Sequence, residues 1–186
     1  MGRFQGLAGQ SACSLCEAGS ATDTLGSEGA TTCSMCTSGQ YSAQSTTPCA
    51  VCSAGSMTNT LSLAGAAACE ACAAGQYSPV STVACRVCEA GSATDSLQDT
   101  GASTCTACVS GRYSASSTSA CAECVVGQYQ GSAARSACVT CAAGSVTNTA
   151  AGTGAVTCTA CVSGQYSSSS DVACAGCEAG RFQDAA

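Results

Sequence analysis

Helical periodicity is absent from this chain. Gly, Ser and Thr are spread throughout, so no segment offers an apolar stripe that a helix could bury. The pattern predicts strands of about two to four residues joined by turns, with essentially no helix. What recurs instead is cysteine. All 20 cysteines fall in C-x-x-C pairs, whose first members are Cys13, Cys33, Cys49, Cys69, Cys85, Cys105, Cys121, Cys138, Cys158 and Cys174. The steps between them alternate between 20 and 16 residues, broken once by a step of 17 that follows a 16. Self-similarity at fixed spacing marks an array, which is read by its unit.

Two loop types alternate. Short loops run over 36–49, 72–85, 108–121 and 161–174; long loops run over 16–33, 52–69, 88–105 and 141–158. The repeat pairs are 17–52, 53–88 and 89–124, then an extra short unit 125–141, then 142–177, with 178–186 opening the next unit of one continuous array over 1–186. Tyr41, Tyr77, Tyr113, Tyr129, Tyr166 and Phe182 each stand five residues after the second cysteine of a pair, and Phe4 shares the Gly-x-aromatic setting. One aromatic per short unit is expected to form the local core, packed on the nearby cysteines and loop backbone. Glycines at fixed offsets mark turns of positive φ or close backbone approach. Thr22-Asp23, Thr58-Asn59, Thr94-Asp95 and Thr147-Asn148 open the long loops. Asn in two of these four places, without surrounding carboxylates, favours an Asx-type turn over calcium. The odd segment 127–138 aligns with 2–13, and Gly180 opens a third copy of the same motif. Such ragged ends suit a piece of a longer array, or a head-to-tail filament in which one chain continues the next.

Composition narrows the class. Seven residues are aromatic, none of them Trp, and much of the apolar fraction is Ala and Cys. At roughly 25 cal/mol per Å2 such side chains cannot support one large core. A disulfide-rich scaffold of short β/turn repeats in an elongated tandem array is therefore expected. Eleven acidic residues stand against five Arg, with no Lys or His. That balance excludes the basic face nucleic acid requires, and no apolar run is long enough to span a membrane. Without His or Lys, or a carboxylate pair beside a nucleophile, no catalytic constellation can be assembled and no cofactor is implied.

The C-x-x-C spacing suits zinc or disulfides. Charge favours disulfides: five zinc sites of four thiolates, at about −2 each, would add about −10 to a chain already at −6. A thioredoxin-like role needs one reactive pair, not ten equivalent ones. Closed modules built from adjacent pairs would strand one pair at the consecutive short loops 108–121 and 124–138. A ladder would not. It joins Cys16 to Cys33, Cys36 to Cys49, Cys52 to Cys69, Cys72 to Cys85, Cys88 to Cys105, Cys108 to Cys121, Cys124 to Cys138, Cys141 to Cys158 and Cys161 to Cys174, leaving Cys13 and Cys177 to bond cysteines outside the chain. Each closed loop contributes on the order of 3 kcal/mol in the chain-entropy account.

The unit C-x-x-C-x-x-G-x-Y-S, carried by Cys33, Cys36, Gly39, Tyr41 and Ser42 and followed by Cys49 and Cys52, alternates with a long loop ending Glu28-Gly29-Ala30-Thr31-Thr32-Cys33. It resembles the ephrin-receptor-like cysteine-rich repeat, a relative of epidermal-growth-factor-like and tumour-necrosis-factor-receptor-like modules. The resemblance extends over nearly the whole chain, although the Pro that often follows the second cysteine in that family is missing from every unit. It implies an extracellular or cell-surface setting in receptor ectodomains, matrix proteins or large surface proteins. Near-identical units favour a structural reading, a disulfide-stitched rod or fibril subunit that self-associates or continues into further repeats. The alternative is a ligand-binding ectodomain segment of a receptor or adhesion protein, and a zinc array is the remaining one. Candidate O-glycan carriers are Ser42, Ser45, Thr46, Thr47, Ser78, Ser114, Ser116, Ser117, Ser167, Ser168 and Ser169. No N-x-S/T sequon that fits the standard rule is read around Asn59 or Asn148, because Thr directly follows each Asn and the next residue is Leu61 or Ala150.

Overall fold

The structure is a computed structural model that describes residues 2–181. Phe182, and all of 178–186 beyond Arg181, lie outside the described residues. The chain divides into two compact bodies, Met1–Val87 with Gln98–Thr104, and Cys88–Leu97 with Cys105–Ala186. Among the described residues both are built from strands of two or three residues, paired into ten antiparallel two-stranded sheets without helix.

Every hairpin after the first begins at the same turn. After the second cysteine of a pair come two residues, then glycine, and the following N–H closes an i→i+3 bond, as Gln40 N–H does to Thr37 C=O at 2.9 Å. Gly39 has φ +79° there, the left-handed third residue a type II turn demands. The strand that follows pairs with the next C-x-x-C. In a short loop Gln40 faces Val51 and Tyr41 faces Ala50; in a long loop Ser56, Met57 and Thr58 face Ala71, Glu70 and Cys69. Long loops turn a second time, where Leu25 N–H bonds Thr22 C=O and the Thr22 hydroxyl donates back to Leu25 C=O. That reciprocal pair holds Leu25 at φ +53°, and the equivalent Leu61, Leu97 and Ala150 are also left-handed. These strained non-glycine positions carried no glycine to announce them.

Nine disulfides close the loops, each from the second cysteine of one pair to the first of the next, Cys16–Cys33 through Cys161–Cys174, with Cα atoms 5.5–5.8 Å apart. The core is not aromatic, contrary to expectation. It is built mainly from the second cysteines Cys16 to Cys141, together with Ala66, Ala102, Ala155, Thr22, Thr58, Thr94, Thr147, Ser42, Ser78 and Ser114. Tyr41, Tyr77, Tyr113 and Tyr129 are only half-buried and Tyr166 is exposed. The reason is proximity of backbones. A Cβ at Gly19 would strike the Gly65 carbonyl oxygen, and one at Gly55 the Gly101 carbonyl oxygen. Main chain fills the space between loops, so the rings lie on its rim.

Candidate functional site

The most strongly specified geometry in this protein is the joint between one loop and the next. From a long loop to the following short loop, Gly19 N–H reaches Ser42 C=O at 2.7 Å and Thr22 N–H reaches Ser45 C=O at 2.9 Å. From a short loop to the following long loop, Ser42 N–H reaches Ala66 C=O at 3.0 Å while Gly65 N–H returns to Cys36 C=O at 2.8 Å. Tyr41 and Ala66 thereby form a parallel bridge, as do Tyr77 with Ala102 and Tyr129 with Ala155. Thr58, fully buried, adds a side-chain bond to Leu61 C=O and a longer one to Ser81 C=O. The joint N–H and C=O groups and the Thr58 hydroxyl are spent on one another.

That accounting corrects two expectations. Ser42, Ser78, Ser114 and Ser167 are buried, and each hydroxyl donates within its own short loop, Ser78 to Val80 C=O and Val83 C=O at 2.8 Å each. Ser45 is buried as well. A glycan on any of these would remove the shared proton or need room that is not there. Thr47, Ser116, Ser168 and Ser169 are exposed, and Thr46 and Ser117 half-exposed. The second correction concerns Asp23, Asn59 and Asn148, whose side chains bond backbone across the loop and not within a local Asx turn. Asp23 accepts from the Thr31 N–H and hydroxyl; Asn59 accepts from the Ala67 and Ala68 N–H groups; Asn148 accepts from Val156 and Thr157. They clasp the base of the loop eight or nine residues away. The Thr31 hydroxyl bond holds the Asp23 carboxyl below its ordinary value, assisted by N–H groups of Thr31 and Thr32.

Beyond the joints, the described residues hold no group of three or more His, Cys, Asp or Glu placed to bind a metal ion, and no helix long and apolar enough to cross a membrane. Cys13 is an exposed free thiol and Cys177 a half-buried one. An open groove of about 450 Å3 lies between Leu15-Cys16-Glu17-Ala18, Gly2 and Gln44-Ser45-Thr46. An ion pair joins Arg112 to Glu123 at 2.7 Å, and the Thr153 hydroxyl donates to the other Glu123 oxygen at 2.6 Å. The Thr153 bond first, then Arg112, lowers the Glu123 pKa.

Sequence reasoning missed one recurring exposed position. Leu15, Val51 and Val87 occupy the same place, the third residue of a C-x-x-C that follows a short loop, and all three are exposed in the first body. Each lies opposite a polar strand neighbour, Arg3, Gln40 or Gln76. In the second body the same place holds Glu123, Thr140 and Gly176. The signal was the recurrence of an aliphatic residue inside cysteine pairs 36 residues apart.

A scan against family models matches residues 111–158 to the family described as tyrosine-protein kinase ephrin type A/B receptor-like. The matched stretch runs from the turn glycine of one short loop, through the odd loop 124–138, to the end of a long loop. Residues 111–158 are an ephrin-receptor-like cysteine-rich repeat. Loops outside that stretch keep its cysteine spacing, hairpins and disulfide pattern. No curated protein matches this sequence.

Proposed function

We propose that this chain is a segment of an extracellular, receptor-type ectodomain, a non-catalytic array that holds a ligand-contacting surface away from its anchor. The ephrin-receptor-like match at 111–158, set among nine disulfides, is the observation that carries this reading. Disulfides at this density form and persist in oxidising compartments. Leu15, Val51 and Val87 supply the apolar contact positions, and Thr46, Thr47, Ser116, Ser117, Ser168 and Ser169 remain the candidate O-glycan positions. Protease shaving of intact source cells tests it: peptides of this chain should be released with their cysteines still joined. Recovery only after lysis, with free thiols, would overturn the reading. Repetition of the same backbone joint supports a second reading, a structural subunit of a surface stalk or fibril. Electron microscopy of the native material separates the two, fibrils favouring the second and dispersed particles that capture a partner favouring the first.

A further inference from the structure

Each peptide bond between Cys16 and Cys174 falls into one of two classes. Bonds inside a loop are bypassed by the disulfide that closes it, as Cys108–Cys121 bypasses every bond of 108–121. Bonds inside a C-x-x-C have no bypass, because one rung ends at the first cysteine and the next starts at the second. Cys72–Cys85 ends at Cys85, and Cys88–Cys105 starts at Cys88. A protease that cuts a loop leaves one covalent molecule; one that cuts between rungs leaves two. The chain has no Lys and five Arg, at Arg3, Arg86, Arg112, Arg135 and Arg181. Arg112 and Arg135 lie inside closed loops. Arg3 and Arg181 lie outside the span from Cys16 to Cys174 that the rungs connect. Arg86 alone lies between two rungs.

The Arg86–Val87 bond is also presented to solvent. Arg86 and Val87 are exposed, and so are Ala84 and Glu89, which flank the two cysteines. Among the described residues the strand Arg86–Val87 pairs with Gln76–Tyr77 alone, Arg86 opposite Tyr77 and Val87 opposite Gln76. Its extended backbone is the conformation that strand addition to a partner uses, and its second edge is left for that pairing. Two residue pairs are all that must open for the Arg86 carbonyl to become accessible. The arginines inside loops are tied instead. The Arg112 guanidinium meets Glu123 at 2.7 Å. The Arg135 carbonyl accepts from Ser114 N–H at 3.2 Å, in the joint where one short loop follows another. Arg86 and Val87 close the main segment of the first body, Met1–Val87.

We propose that Arg86–Val87 is a processing site for a serine protease of arginine specificity. The Arg86 guanidinium enters the enzyme's primary pocket and pairs with a carboxylate there. The enzyme's serine oxygen adds to the Arg86 carbonyl carbon and the C–N bond breaks. Val87 leaves with a free amino group, which takes the serine's proton through the enzyme's histidine. Water then releases Arg86 as a carboxylate and restores the serine. The cut replaces a covalent connection with a backbone joint. Residues 98–104 now belong to the downstream piece yet stay bonded inside the first body, Gly101 N–H to Cys72 C=O at 2.8 Å and Ala102 C=O to Ser78 N–H at 3.0 Å. Release of the downstream piece therefore waits on rupture of that joint. The inference holds whether the array serves a receptor or a fibril.

The test is limited digestion of the full, oxidised chain with trypsin, read by non-reducing electrophoresis in denaturant and by mass spectrometry of the products. The expected result is two pieces, one ending at Arg86 and the other beginning at Val87. Arg86→Gln should abolish the separation, Arg86→Lys should keep it, and Arg112→Gln should leave it unchanged. Cuts after Arg112 or Arg135 should each add one water without parting the chain until it is reduced. Intact mass under non-reducing conditions confirms the disulfides of every variant before digestion. A chain that stays in one piece, nicked in its loops or not, would sink the proposal. So would separation that persists in Arg86→Gln, or a stable complex in which trypsin holds the Arg86–Val87 bond uncut.

Discussion

A regular joint and the irregular one differ in the side chains of the loop they receive and agree in their backbone. In the regular joint at 36–66, Gly65 N–H fills the Cys36 carbonyl and Ala66 C=O takes the Ser42 N–H. In the irregular joint at 108–135 the same two slots are filled by Ala134 N–H and Arg135 C=O, which come from a short loop instead of a long one. Within the loops the closing side chain changes as well, from the Ser42 hydroxyl to the Gln130 amide. The array thus tolerates a change of loop order because its joints are written in N–H and C=O groups, which every residue but proline supplies. What a joint does require is close approach, and there glycine has no substitute.

The strongest way to break the comparison is to open a rung in each setting. C72A/C85A removes a regular disulfide and C124A/C138A the irregular one; each should lose on the order of 3 kcal/mol of stability by denaturant titration. Equal losses would support the common frame, and a much smaller loss at 124–138 would mean that the irregular loop is held by its joint alone. Next comes Gly55→Ala. Its Cβ meets the Gly101 carbonyl at φ +83°, so a loss of about 2 kcal/mol or more is expected. Gly144→Ala, left-handed but in open space, should lose only about 1 kcal/mol. Equal thermal shifts for the two would remove close approach from the account. Thr58→Val keeps volume but removes, from a fully buried position, the 2.9 Å donor to the Leu61 carbonyl, a loss of about 1–2 kcal/mol. Ala134→Gly relaxes the one non-glycine in the irregular joint held at φ +56°, and the melting point should rise slightly.

The smallest effect is a pH response. Glu123 has a lowered pKa in the folded state, so its clasp on Thr153 and Arg112 contributes stability above the ordinary carboxylate range and loses it as pH falls through the lowered value. Glu123 and its partners are exposed, so the change should be small and weakened by salt. In E123Q the acid limb of the melting curve should flatten. An unchanged limb would assign it to other carboxylates, Asp23 among them.

Much of the fold was legible before any coordinates. The lack of helical periodicity and the turn residues before each aromatic pointed to short hairpins, and the glycines at Gly39 and Gly55 announced left-handed turns. The interior was not legible. Aromatics usually mark a core, yet here close backbones exclude them, and nothing local distinguishes a packed Tyr41 from a rim Tyr41. Nor could Ser78 be told from an exposed, modifiable serine, because its two carbonyl partners become neighbours only when the short loop closes. Leu25 is the third case: its left-handed backbone is held by the Thr22 hydroxyl, not by any preference of leucine.

The ladder of rungs also governs what happens when the two ends are pulled. Tension entering at one end crosses the first disulfide, runs through the two residues between rungs, and crosses the next disulfide. The 13 or more peptide steps of each loop stay slack behind their rung. Such a chain has very little hidden length while oxidised: the joints can rupture one after another, yet the contour barely grows. Reduction releases that length loop by loop, so the redox state of the surroundings sets how far the chain can be drawn out, without any change of sequence.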